Sequence, residues 1–213
     1  MPTPDRTSLA EIVEAGRELL ERDGLDGLTM QAVATRVGVR APSLYKRVSN
    51  RDALVALVAD ATLRELGDSV DAAAGELERD PRERLREMAR AVRAFARRRP
   101  VAFRLIFAPG AELRLDPDSL ARSSASVVAV SGELAGEEHA LDAARTFTAW
   151  ANGFVSMELA GAFQMGGSVD RAFAFGAERI AVAISEPSGS ARRATGGTAP
   201  RRPRPKTGHR SPA

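Results

Sequence analysis

Arg36, Arg40, Lys46, Arg47 and Arg51 fall in a window from Gly27 to Arg51 that holds no aspartate or glutamate, although the chain carries 28 acidic residues. With Ser43 and Tyr45 among them, these cations are the set best suited to chemistry, and that chemistry is phosphate binding. A polyanion repels carboxylates, and each lysine or arginine brought against it releases condensed counterions. Covalent chemistry is poorly served. Ser43-Leu44-Tyr45-Lys46 has the S-x-x-K spacing and Lys206-Thr207-Gly208 reads K-T-G, two signatures of penicillin-binding serine enzymes. No S-D-N lies between them, and the second falls in a low-complexity tail. Glu137, Glu138 and His139 are consecutive, so they point to different parts of a helix surface and make a poor metal site. There is no phosphate-cradling glycine motif and no nucleophile elbow. Zero cysteines exclude thiolate nucleophiles, thiolate metal sites and disulfides. The expectation is a protein that is not an enzyme, with no cofactor and no metal.

The charge distribution sharpens the window. The chain has 213 residues, a formal charge of +3 and 44% hydrophobic residues, a globular composition. Seven of its cations lie beyond Pro187 with no acid among them, which leaves 24 basic against 28 acidic residues over 1–186, a net charge of −4. The basic window is therefore local, on an acidic body. No run of about 18 uncharged apolar residues exists to span a membrane. The N-terminus has an acidic amphipathic pattern in place of a basic then apolar leader, so a cytoplasmic protein is expected.

The elements that must position these residues are helical, since apolar residues recur with helical period and no alternating run stands out. Thr7 or Ser8 caps a first helix running to about Asp23, with Leu9, Ile12, Val13, Leu19 and Leu20 on its apolar stripe and Glu11, Glu14, Glu18 and Glu21 facing water. Thr29 caps a short second helix that stops at Gly38, and a third runs from about Pro42 to Val48. Ser49 or Asn50 caps a fourth, with Asp52 in a capping-box-like position after Ser49; it weakens between Gly67 and Gly75. Further helices are expected from Pro81 to Arg99, over 101–107, from Pro117 to Leu134, from Glu137 to Gln164 and from Ser168 to Ser185. The fold class is all-α. Three domains follow: a three-helix head over 1–50, a larger body over 51–186, and a disordered basic tail over 187–213 whose composition cannot bury enough to order itself.

Two short helices separated by Gly38-Val39-Arg40 have the spacing of a helix-turn-helix, whose second helix enters the major groove of DNA. Residues 8–58 resemble the DNA-binding domain of the tetracycline-repressor (TetR) family: T-M-x-x-V-A-x-x-V-G-V at 29–39, S-L-Y-x-x-V at 43–48, then N-R-D-A-L. The resemblance implies that Thr29 holds a phosphate through its hydroxyl and amide, and that Arg40, Ala41, Pro42 and Ser43 lead the recognition helix. Of these, Arg40 can read guanine, and Ala41 or Pro42 can touch a thymine methyl. It further implies that Tyr45 bonds phosphate through its hydroxyl, that Lys46 and Arg47 reach phosphate or bases, and that Arg51 binds phosphate at the start of the next helix. Val33, Ala34, Val37, Leu44 and Val48 read as core.

A recognition helix of about two turns covers only a few base pairs, so such proteins dimerise onto half-sites. The segments 146–164 and 169–185 combine small and large apolar residues suited to a homodimer seam, with Gly153, Phe154, Ala160, Gly161, Phe173, Ile180 and Ile184 as its candidates and packing within one chain as the alternative. Trp150-Ala151-Asn152-Gly153 resembles a TetR subgroup with tryptophan, histidine and glycine there; Asn152 stands in the histidine's place. Met88, Val92, Phe95, Phe103, Ile106, Phe107, Leu113, Phe147, Trp150 and Met157 form an apolar set for a small hydrophobic or aromatic effector, with plain core as the alternative. The resemblance thus implies a ligand-responsive regulator that binds double-stranded DNA as a homodimer, commonly a repressor released from a palindromic operator by its effector. A helical protein-interaction module without sequence-specific DNA binding is the competing class, and steep salt dependence of DNA binding separates the two.

Overall fold

The computed structural model describes residues 7–75, 79–107, 113 and 115–185. The expected tail over 187–213 lies outside the described residues, as does the K-T-G at 206–208. Among the described residues all regular structure is helical, with α1 Leu9–Gly27, α2 Met30–Arg36, α3 Ala41–Leu44, α4 Arg51–Ala74, α5 Pro81–Arg98, α6 Pro100–Phe107, α7 Pro117–Ala135, α8 Ala140–Leu159 and α9 Val169–Ser185. A 3-10 turn, Glu137–His139, joins α7 to α8.

Capping decides most boundaries. Ser8 and Glu11 form a reciprocal capping box at α1, each satisfying a backbone donor of the other. Thr29 accepts from the Ala32 amide at α2, Asp80 starts α5 ahead of Pro81, and Asp116 starts α7 ahead of Pro117. At α4 the cap is Asn50, whose Oδ1 accepts from the Ala53 amide at 2.8 Å, so the box expected from Ser49 and Asp52 is not the one formed. The chain continues past Gly67 without weakening, and α4 reaches Ala74. The helix expected over 137–164 is shorter at both ends. Its first residues form the 3-10 turn, and Gly161 takes φ of +65°, a left-handed conformation that closes α8 after Leu159.

A single apolar core runs from the head through the body. In the head, Ile12, Leu20, Leu28, Val33, Leu44, Val48 and Leu54 are fully buried, and Val37 packs half-buried against them. In the body α4 lies against α5 and α7, and α7 against α8. The largest buried side chains there are Phe95, Phe103 and Phe147.

Polar links bind head to body and brace the body itself. Glu21, expected to face water, accepts from the Val101 and Ala102 amides at 3.2 and 2.8 Å, so a carboxylate of α1 caps α6. Glu65 of α4 pairs with Arg17 of α1 and with Arg98 and Arg99 at the end of α5. Arg84 is almost fully buried, donates to the Ala74 carbonyl at 3.0 Å and forms a two-pronged pair with Glu133, which ties the end of α4 to α5 and α7.

Candidate nucleic-acid interface

The turn between α2 and α3 depends on Gly38, whose φ of +73° is one that side chains rarely adopt. It sets α3 across α2. Leu44 and Val48 point inward, 1% and 2% exposed, and their burial leaves the intervening residues on the outer face. Hydrogen bonds from the Arg47 and Val48 amides to the Leu44 carbonyl, both 2.8 Å, continue the helix as a turn through the expected end at Val48. Arg40, Pro42, Ser43, Tyr45, Lys46 and Arg47 are exposed, with Ala41 half-buried beneath them. Tyr45 is 53% exposed, so its ring is not a core element. Thr29 stands half-buried at the start of α2; its hydroxyl oxygen accepts from Ala32, leaving the hydroxyl proton free to donate.

The five cations divide by their partners. Arg36 is held by Glu18 of α1, with Nε at 2.8 Å from the carboxylate. Arg51 donates from Nε to the Leu28 carbonyl at 2.9 Å and from Nη2 to the Leu25 carbonyl at 2.6 Å, so it locks the end of α1 to the start of α4. That bracing role was not read from sequence, and it leaves three of the five guanidinium N–H groups for a phosphate. Among the described residues neither Arg40 nor Lys46 has an ion pair. No carboxylate lies between Gly27 and Arg51, so the window itself supplies no negative charge to the face that Arg40 and Lys46 occupy.

In the body a cavity of about 260 Å³ lies between α4, α5, α6, α7 and α8. Its buried floor is Leu63, Leu66 and Val70 of α4, Val92 of α5, Val127 of α7, and Phe147 and Ala151 of α8. Phe107, Leu120, Ala121, Ser123, Ser124, Thr148 and Asn152 complete it. Of the expected apolar set, the structure brings Val92, Phe107 and Phe147 to this cavity. Met88, Phe95, Phe103 and Ile106 are buried in the core and do not line it, Leu113 is half-buried against the core, and Met157 is 48% exposed. Trp150 stacks on Phe173 of α9 at 5.4 Å between ring centres and also stays outside the cavity. The α4 residues and the α7 serines went unassigned because a helix that both connects domains and walls a cavity shows only an ordinary apolar stripe.

The candidates for the seam also divide. Phe173 and Ile184 are buried within their own chain, Phe154 and Ile180 are half-buried, and Gly153, Ala160 and Gly161 are exposed. Nothing lies within 4 Å of a side chain placed at Gly153, whereas one at Gly176 would meet the Trp150 indole at 2.7 Å. Gly176 therefore serves packing inside the chain. Met157, Phe163 and Phe175 are exposed along the same surface, and Met165 is fully so. A cluster of charge crosses it: Glu158 of α8 accepts from Arg93 and Arg97 of α5, and Asp170 of α9 pairs with both arginines. The Arg93 hydrogen bond, with a lesser one from Arg97, holds the Glu158 carboxyl below its ordinary value against the opposing effect of burial. Asp170 is lowered in turn, chiefly by Arg97 and then Arg93.

Residues 12–58 match the family described as bacterial regulatory proteins, tetR family, and residues 85–180 match the tetracyclin repressor-like C-terminal domain. The uncharacterized HTH-type transcriptional regulator Rv0681 of Mycobacterium tuberculosis is 31% identical over 168 residues, covering 74% of this chain and 73% of that protein. The chain belongs to the tetR family. The HTH-type transcriptional regulator Rv1816 of M. tuberculosis is 33% identical over 121 residues, covering 56% of this chain and 52% of that protein, so the chain spans about half the length of that relative. Among solved structures, a TetR variant of Acinetobacter baumannii in complex with minocycline superposes with a TM-score of 0.64 at 24% identity, covering 84% of this chain and 96% of that one. That likeness concerns the fold. The tetR match over 12–58 takes in α2, the Gly38 turn, α3 and the start of α4, the segments that carry the exposed cations.

Proposed function

We propose that this tetR-family chain is a transcriptional regulator that binds a palindromic operator as a homodimer and is released by a small apolar effector, acting as a repressor. The observation that carries the reading is the acid-free outer face of α2 and α3, where Arg40, Ser43, Tyr45 and Lys46 project over a buried Leu44 and Val48. A rigid, exposed, cationic helix with a tyrosine hydroxyl beside it supplies both phosphate contacts and one bidentate base reader. Thr29 adds a hydroxyl donor to phosphate, Arg47 and the remaining N–H groups of Arg51 add positive charge, and Ala41 and Pro42 present apolar surface to a thymine methyl. Domain limits follow the same division: a head over 1–50, a body over 51–186 and a basic tail over 187–213, in the cytoplasm where the DNA is.

The exposed apolar side chains of α8 and α9, with Gly153, Ala160 and Gly161 beside Phe154 and Ile180, form the dimer seam, while Phe173 and Ile184 support it from beneath. The cavity under α7, with its buried apolar floor and polar edge, is the effector site. Asn152 on its wall marks the departure from the tryptophan-histidine-glycine subgroup and removes a group that would titrate near neutral pH. Binding of the full chain to duplex DNA, followed by fluorescence anisotropy across a salt series, tests the proposal. Log K should fall linearly with log salt, and Tyr45→Phe with Lys46→Ala should weaken binding and flatten the slope. A salt-independent association, or one untouched by both substitutions, would point to the protein-interaction class instead.

A further inference from the structure

The body cavity has an apolar floor, a polar edge and no ionisable residue in its lining. The polar edge is ordered by bonds already made. Ser123 and Ser124 donate their hydroxyls to the Leu120 carbonyl at 3.1 and 2.8 Å, so both oxygens are left as acceptors. Asn152 Oδ1 accepts from Ser156 at 3.1 Å, which turns the amide nitrogen into an available donor. Thr148, exposed at the cavity's mouth, has a hydroxyl bonded to no other described residue and stands one turn of α8 before Asn152.

From this we infer that the cavity selects an uncharged, largely apolar molecule of one or two fused rings bearing a single carbonyl or hydroxyl oxygen, which Asn152 and Thr148 bind as donors. Size sets the first limit, since 260 Å³ lies just below the roughly 300–1,000 Å³ of drug-sized ligand sites. Charge sets the second. A carboxylate or ammonium seated over Leu66, Val92 and Phe147 would lose its hydration with no opposite charge to replace it, whereas a neutral oxygen exchanges water for the Asn152 amide. The inference rests on the effector reading for what binding does, and stands apart from it in what binds.

Calorimetric titration of the full chain with acetylnaphthalene, naphthoate and naphthylmethylamine at neutral pH tests it. The ketone should bind about tenfold or more tightly than either charged probe. Asn152→Leu should erase the preference for acetylnaphthalene over ethylnaphthalene, and Asn152→Asp should turn preference toward the ammonium, a switch that loss of structure cannot produce. Equal or tighter binding of a charged probe to the natural chain would overturn the inference, as would an unchanged ketone preference in Asn152→Leu or no binding of any probe. If the ketone binds with the expected pattern yet saturating ketone leaves DNA affinity unmoved, the ligand class stands and the regulatory reading fails.

Discussion

In the proposed function Arg40, leading α3, addresses a base edge through two parallel hydrogen bonds, and Lys46 is its counterpart for phosphate. Their substitution should fail differently. Arg40→Ala should cost about 1–3 kcal/mol on the preferred site and relax discrimination at one base pair, whereas Lys46→Ala should weaken all duplexes alike and lower the salt slope by about one. Competition binding with single-base variants of the site distinguishes these outcomes. Glu158 makes a second residue-scale prediction. Its carboxyl is held below the ordinary 4.5, first by the Arg93 hydrogen bond, so its contribution to stability is present above the unfolded-state value and is lost as pH falls through the folded one. Urea midpoints for the natural chain and Glu158→Gln should therefore differ at neutral pH and converge on acidification below that range.

At the scale of elements, the contacts that hold helices together make direct predictions. A side chain at Gly67 would come within 3.0 Å of Ser123 Cα and Cβ, so α4 and α7 touch nearly backbone to backbone at this point. At Gly176 the obstacle is the sole tryptophan of the chain, at 2.7 Å. Gly176→Leu should destabilise by about 1–3 kcal/mol through overpacking and shift the Trp150 emission, both read in one urea titration. Truncating Glu21 to alanine removes the tertiary cap of α6 and should cost about 0.5–2 kcal/mol, the range of a lost helix cap. Much of this architecture was legible in the sequence, because caps and turns are local. Thr29, Gly38, Asp80-Pro81 and Pro117 announce their helix boundaries through chemistry within a few residues. What was hidden is tertiary. Glu21 looks like any solvated helix glutamate until α6 arrives above it, and nothing near Arg51 in the sequence shows that the carbonyls of Leu25 and Leu28 hold it as well. Most of the cavity's lining was hidden for the same reason: it comes from five helices, and helical period says only that a face is buried, not whether it meets another side chain or a space.

For the whole molecule, a basic face confined to the window 27–51, on a head of no net charge and an acidic body, implies an orientation on DNA as well as affinity for it under the proposed reading. The body, net negative before Pro187, would be repelled by the phosphates that the basic window attracts, so that window should meet DNA first. The basic tail acts in the opposite sense, and truncation after Glu186 should reduce non-specific duplex binding while leaving site preference unchanged, as measured by competition with random DNA. The proposed function needs paired heads because one α3 spans few base pairs, and it assigns the pairing to the exposed apolar surface of α8 and α9. Selection of bound fragments by the full chain from a pool of random duplex DNA tests the central claim most directly. The account predicts enrichment of a two-fold symmetric sequence whose half-sites lie about one helical turn, or a multiple of it, apart. A pool that emerges without any enriched sequence would contradict it.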